Sequence, residues 1–352
     1  MLLVSSDPSF VAHDTGRGHP ERAGRLAAVA RGIEAAGLRD AVVELEPRAA
    51  TSAEMARVHD PTYLAAVERF CEAGGGMVDP DTVASVDSWT AATHAAGAGL
   101  EAVEVLSEGR GDAAFLAVRP PGHHASASTA RGFCLVNSAA VTAAALRAAG
   151  ERVVIIDWDA HHGNGTQDLF WNDPGVLYVS AHEFPLFPHT GRLDETGGPD
   201  APGTTCNIPV PAGTTGDVYL AAFDDVVEPL VERFAPDWTV VSAGFDAHRR
   251  DPLTGLALSS GDFAALAERV ARWTPGRIVA FLEGGYDEQA LVESTAVTVA
   301  ALLSEQRVIG TGHVGGPAET EPPTTGGPGR DVVEATRRIH ATIREESEKF
   351  DH

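Results

Sequence analysis

Two segments of the chain hold an unusual density of groups that bind metals or move protons. In DWDAHHGNGTQ, Asp157, Asp159 and His161 alternate along the chain, so an extended backbone would turn all three to one side. A carboxylate and an imidazole on one face can share a metal, and Asp246, in GFDAH, offers a third ligand from elsewhere in the chain. Three protein ligands with the remaining positions left to water describe a catalytic metal rather than a structural one. The competing reading, in which Asp157 and Asp159 only cap the following turn, leaves Asp246 and the nearby histidine pair unexplained. His123 and His124, in RPPGHHA, are the candidate acid and base, because neutral imidazole beside a metal-bound water takes its proton and later protonates a leaving amine. Asp157 and Asn164 lie where each can fix the second nitrogen of one ring. An Asp partner raises basicity and a neutral Asn does not, so the pair would be unequal. Tyr286 follows two glycines in EGGYD, and its O–H would polarise a carbonyl and hold the developing oxyanion. A core tyrosine at a strand end has the same local sequence.

These segments share a position. Each follows a short apolar run: Ala113 to Val118, Val153 to Ile156, Thr239 to Ala243 and Ile278 to Leu282, with a further run at Val176 to Ser180. The unbroken Val153-Val154-Ile155-Ile156 is the pattern of a strand buried on both faces. Before it, SAAVTAAALRAAG reads as a helix with Arg147 in its last turn and Gly150 just past its end. Helical patterns also begin near Ser260 and run from about Glu288 to Ser304. Alternating strands and helices predict one twisted, mostly parallel sheet with helices on both faces, a three-layer α/β/α sandwich. In such sheets ligands sit beyond the carboxyl ends of the strands, which is where the four polar segments fall.

Taken together, HPERAGRL (from His19), RPPGHHA (from Arg119), GFCLVN (from Gly132), DWDAHHGNGTQ (from Asp157), VSAH (from Val179), VSAGFDAHRRDPLTG (from Val241) and LEGGYD (from Leu282) resemble the histone deacetylase superfamily, to which acetylpolyamine amidohydrolases and acetoin-utilisation deacetylases are related. The HHGNG form is similar to the class II branch. The resemblance implies the arginase-like sandwich and assigns zinc to Asp159, His161 and Asp246, with Fe(II) or Co(II) also compatible with a carboxylate-rich set. It makes His123 and His124 the catalytic dyad, backed by Asp157 and Asn164, and Tyr286 the carbonyl polariser. It places Gly132, Phe133 and Phe187 around an acyl-lysine tunnel, and a structural K+ or Na+ at Asp157, Asp159, His161, Ser180 and Ala181. Gly163 and His248 stand where arginases carry the aspartates of a second metal, which argues against a ureohydrolase. The chain departs from the family at FPHTG, where His189 replaces a glycine at the rim, and at SAH, where Ala181 replaces leucine. Leu253 stands where polyamine-selective relatives carry an acidic gatekeeper, favouring acyl-lysine. Asp81, in VDPDT, is either a clamp for a peptide backbone or a plain turn residue.

Composition bounds the remaining choices. Fifty acidic against 26 basic side chains give a net charge of −24, and Lys349 is the single lysine, which argues against a nucleic-acid partner and would attract cationic peptides or polyamines. Three scattered cysteines form neither a disulfide framework nor a CxxC site. The N-terminus lacks a signal-peptide pattern and no run reaches the length of a membrane span, so a cytoplasmic protein is expected; the oligomeric state is left open. The expected organisation is a catalytic domain at 1–304, a Gly/Pro/Thr-rich linker at 305–330 and a helical appendage at 331–352. The expected function is metal-dependent hydrolysis of an acetyl or related acyl group from lysine. The rivals are deacetylation of a polyamine or other small amine, and a non-catalytic acyl-lysine binder, which would be expected to lose the dyad or the tyrosine.

Overall fold

The structure, a computed structural model, describes residues 1–307 and 320–350. Among these residues ten strands occur, in the order β1 (Leu2–Ser5), β2 (Val42–Leu45), β3 (Gly76–Met77), β4 (Val83–Ala84), β5 (Ala113–Leu116), β6 (Val153–Asp157), β7 (Val176–Glu183), β8 (Thr205–Val210), β9 (Trp238–Ala243) and β10 (Ile278–Leu282). Strands β3 and β4 form a small antiparallel pair. The other eight make one sheet ordered β2-β1-β5-β10-β9-β6-β7-β8, every pairing in it parallel. Side chains alternate between two cores: Val154 and Ile156 face one, Val153 and Ile155 the other. Each such side chain, fully buried, contributes roughly 1.5–3 kcal/mol, so the register of β6 is fixed from both sides.

The helices Ser88–Ser107 and Ser138–Ala148 cover one face, and Gly24–Ala35, Ser260–Ala271 and Glu288–Arg307 the other. Asn137 caps the second of these by accepting from Ala140 N–H at 2.9 Å, and Gly150, at φ +90°, ends it. The strands and helices around the four polar segments therefore match the sequence reading. The edge strands β2 and β8 and the strand β1 next to β2 were not anticipated, and β7 runs three residues beyond Ser180 to Glu183.

The packing does not stop at residue 304. Residues 308–319 of the expected linker, and 351–352 at the end of the expected appendage, lie outside the described residues. Beyond them, Thr324 binds the Asp262 carboxylate through N–H and hydroxyl, and Gly327 N–H donates to Thr215 at 2.8 Å. The helix Arg330–Phe350 then packs on β8 and the Gly216–Ala222 helix, burying Val333, Thr336 and His340. A Gly/Pro/Thr stretch needs no core of its own when its polar groups are satisfied by a neighbouring domain, and the helix is amphipathic enough to dock.

Candidate active site

Strands β5, β10, β9 and β6 lie side by side at the centre of the sheet, and their carboxyl ends bring the four polar segments together. β6 ends at Asp157, so the extended backbone expected through His161 does not persist. Asp159 and His161 reach the site from a bend held by side-chain turns: Asp159 N–H donates to Asp157 Oδ1 at 3.2 Å and His161 N–H to Asp159 Oδ1 at 2.9 Å. This bend splits the three residues. Asp157 turns to the dyad, while Asp159 and His161 join Asp246, the donor atoms of these three lying within 4.8 Å of one another. His161 Nδ1 is 3.1 Å from Asp159 and 2.9 Å from Asp246.

Both carboxylates are oriented by main-chain donors, Gly284 N–H on Asp159 and Ala160 N–H on Asp246, each at 2.7 Å. A side chain at Gly284 would collide with both carboxylates, so the close approach of this loop requires glycine. Burial and then the charge of Asp159 push Asp246 up to about 6. Two like charges held together out of water are the condition a divalent cation relieves, and two carboxylates with one imidazole are a donor set that suits zinc. The only other cluster with such spacing among the described residues, His248, Glu293 and Glu321, is already paired with cations: Arg249 donates to Glu321 at 2.8 Å and Arg250 to Glu293.

The histidine pair is unequal. His123 Nδ1 donates to Asp157 Oδ2 at 3.0 Å and His124 Nδ1 to Asn164 Oδ1 at 2.9 Å, with ring centroids 4.0 Å apart. Burial works against charge on His123, but Asp157, Asp159 and Glu283 outweigh it and raise the ring to about 10. Burial, then His123 and His161, hold His124 well below the usual imidazole range. Charge is therefore favoured on the His123 ring and disfavoured on that of His124.

Tyr286 lies opposite, its ring edge-on to Phe133 at 5.9 Å. Asp81, Gly132, Phe133, Phe187 and Leu253 line the same narrow cavity, of about 160 Å3, as His123, His124, His161 and Tyr286. Phe133 sits at φ +67° with its N–H on Thr82 at 3.0 Å, and Phe187 packs edge-on against His124 at 5.1 Å under Arg131. Leu253 is 38% exposed at the mouth. Asp81 is exposed, and its carbonyl accepts from His19 Nε2 at 3.0 Å. His189 is not among the lining residues. It occupies φ +66°, a left-handed conformation that suits the glycine it replaces. Ser180 and Ala181 stand apart from the cavity on β7. Ser180 is the register partner of Asp157 and shares a hydrogen bond with His182, while the Ala181 carbonyl accepts from Tyr219 at 3.0 Å.

Five supporting groups, Glu21, Arg25, Arg119, Asp251 and Glu283, escaped the sequence reading. Glu21, from HPERAGRL, is buried with Arg25 and Arg119 clamped on it. Burial opposes the Glu21 charge, but His13 and the two arginines hold its carboxyl well below the usual range. Arg25 donates to the carbonyls of Glu283 and Gly285 and lies 5.0 Å above the Tyr286 ring. Asp251 accepts the N–H of Tyr286 at 2.7 Å and of Leu253 at 2.9 Å. Glu283 accepts from the dyad loop. All five lie in segments that carry the family resemblance, but a local signal of position existed for Glu283 alone, as a carboxylate placed directly after a fully apolar strand.

This fold is that of the arginase/deacetylase-like α/β class. A histone deacetylase domain matches residues 19–302, and the chain belongs to the histone deacetylase family. It is 37% identical over 302 residues to a probable deacetylase of Archaeoglobus fulgidus, covering 84% of each chain. To histone deacetylase 15 of Arabidopsis thaliana it is 37% identical over 293 residues, covering 82% of this chain and about half, 53%, of the plant protein. The crystal structure of the HDA15 HD domain superposes with a TM-score of 0.87 at 31% identity, covering 99% of each chain.

Proposed function

We propose that the protein is a zinc-dependent amidohydrolase that removes acetyl or related acyl groups from the side-chain amine of lysine. The observation that supports this most strongly is the meeting, on one narrow cavity, of an unequal histidine pair, a phenol and His161, whose imidazole is grouped behind the cavity wall with Asp159 and Asp246. Zn2+ held by Asp159, His161 and Asp246 would supply Lewis acidity and an acidified water, and Fe(II) or Co(II) would serve the same ligands. The free-base ring of His124 is suited to take the proton of the attacking water, and the protonated His123 to return one to the leaving amine. The O–H of Tyr286 donates to the substrate carbonyl oxygen as negative charge grows on it, in a site already ordered to receive that charge. Phe133 and Phe187 exclude water along the acyl chain. The absence of a carboxylate at Leu253 removes the partner a polyamine's second ammonium would need.

A structural K+ or Na+ beside Asp157 and Ser180 forms part of the proposal. Ala181 fits it less directly, its carbonyl already accepting one hydrogen bond with a second lone pair left. Three buried, unpaired cysteines support a reducing cytoplasmic setting.

Steady-state rates on acetyl-lysine peptide, longer acyl-lysine peptides and N-acetylputrescine, with zinc, iron(II) or cobalt(II) reconstituted in turn, test the reading. It expects the highest kcat/KM on an acyl-lysine peptide. Preference for N-acetylputrescine would transfer the assignment to small acetylated amines, and no turnover with any metal would leave the non-catalytic binder.

A further inference from the structure

We infer that Glu283 is a positioning residue that sets the histidine pair in register with the Tyr286 loop, an inference that rests on the deacetylase reading. Glu283 leaves the carboxyl end of β10 and is 1% exposed. Its Oε2 accepts two adjacent main-chain N–H groups, Gly122 at 2.6 Å and His123 at 3.2 Å. The His123 carbonyl is held in turn by Thr166 N–H at 3.2 Å, so the backbone of the first dyad residue is gripped on both sides. The main-chain carbonyl of Glu283 accepts from Arg25, which also donates to the Gly285 carbonyl at 2.7 Å and lies over the Tyr286 ring. One residue thus touches both halves of the site. Its side chain holds the loop of the proton carriers and its main chain the loop of the carbonyl-holding phenol.

The residue type follows from the geometry. Two N–H groups converging on one point in a dry site need a single acceptor with two lone pairs, which a carboxylate oxygen supplies. Glutamine keeps that acceptor, leucine removes it, and aspartate keeps the charge but withdraws the oxygen by one methylene. Small displacements of groups that must meet a reacting atom cost rate far more than affinity.

The test compares zinc-loaded wild type with Glu283→Gln, Glu283→Asp and Glu283→Leu. It measures kcat and KM on an acetyl-lysine peptide, zinc per chain, Tm, and the 15N imidazole resonances of His123 and His124, assigned with single His→Ala variants. The expected result for Leu and Asp is a kcat lower by about 10²-fold with KM within about threefold, undiminished zinc and displaced dyad resonances. Gln is expected to recover kcat to within about threefold of wild type, with dyad resonances displaced less than in Asp or Leu. If Leu does not fold, the order of Gln above Asp decides. An Asp variant as active as Gln, a kcat unchanged in Leu with only Tm lowered, or KM rising in step with the loss of kcat would each overturn the inference. A wild type inactive on every substrate would defeat the deacetylase reading and leave the resonances to decide: a larger displacement in Asp and Leu than in Gln supports the role of Glu283, and an equal displacement or none overturns it.

Discussion

The floor and the mouth of the cavity are built on opposite principles. At the floor, Asp159, Asp246 and the pair His123 and His124 follow three of the central strands, β6, β9 and β5, are buried, and each is fixed by a main-chain donor or a second side chain. At the mouth, Asp81, Phe133, Phe187 and Leu253 come from loops that are partly open to water, and both Phe133 and neighbouring His189 sit at positive φ. Position is imposed on the floor by the sheet and on the mouth by local backbone conformation. Substitutions at the floor should therefore act on the chemical step, and those at the mouth on which substrate enters.

The largest effect is expected at Asp246. Asp246→Ala removes a ligand and leaves His161 and Asp159 mismatched, so zinc content should fall below one half per chain and activity should drop to background. Full zinc occupancy in that variant would take Asp246 off the ligand set and dissolve the distinction at its root. Tyr286→Phe comes next: kcat should fall by about 10² or more while KM stays nearly constant, as for other oxyanion donors, and a variant with unaltered kcat would move Tyr286 from floor to mouth. Leu253→Glu tests the mouth in the opposite sense. An exposed carboxylate is worth up to about 1 kcal/mol to a facing cation, so the ratio of kcat/KM for N-acetylputrescine over acetyl-lysine peptide should rise about fivefold with kcat on the peptide nearly unchanged. A fall in kcat on both substrates would show that the mouth also governs chemistry. The smallest effect belongs to His189→Gly, which relieves a left-handed non-glycine residue but loosens the unfolded chain. Unfolding free energy should move by less than about 1 kcal/mol and KM by less than about twofold, measured by denaturant titration and steady-state kinetics. A tenfold KM change would place His189 in the substrate path.

The same contrast explains what could be read from the chain itself. The sheet and the floor were legible because each strand and the residues it delivers are adjacent in sequence: Val153 to Ile156 runs straight into Asp157, Asp159 and His161. What was not legible is contact across long separations. Glu21, Arg25 and Arg119 look like ordinary surface charges until residues 98 apart in the chain meet in the interior. Arg25 reaches Gly285 across 260 positions, and no local pattern announces that. The split of Asp157 from Asp159 and His161 was missed for a different reason, since period-two alternation holds only while the strand lasts and this strand ends at Asp157, two residues before Asp159 and four before His161. His189 was visible as an odd residue, but its conformation was not.

The chain folds back on this site late in its own length. Glu321 closes on His248 at 3.1 Å and on Arg249 at 2.8 Å, immediately beyond Asp246, and the helix that follows packs against β8. On the ribosome, where the polymer emerges from its N-terminal end at about 5–20 residues per second, every ligand and proton carrier is synthesised before residue 290, yet the brace on the Asp246 loop does not exist until residue 321 is free to return. For some seconds the nascent protein owns a complete set of reactive groups without the last clasp on one of them.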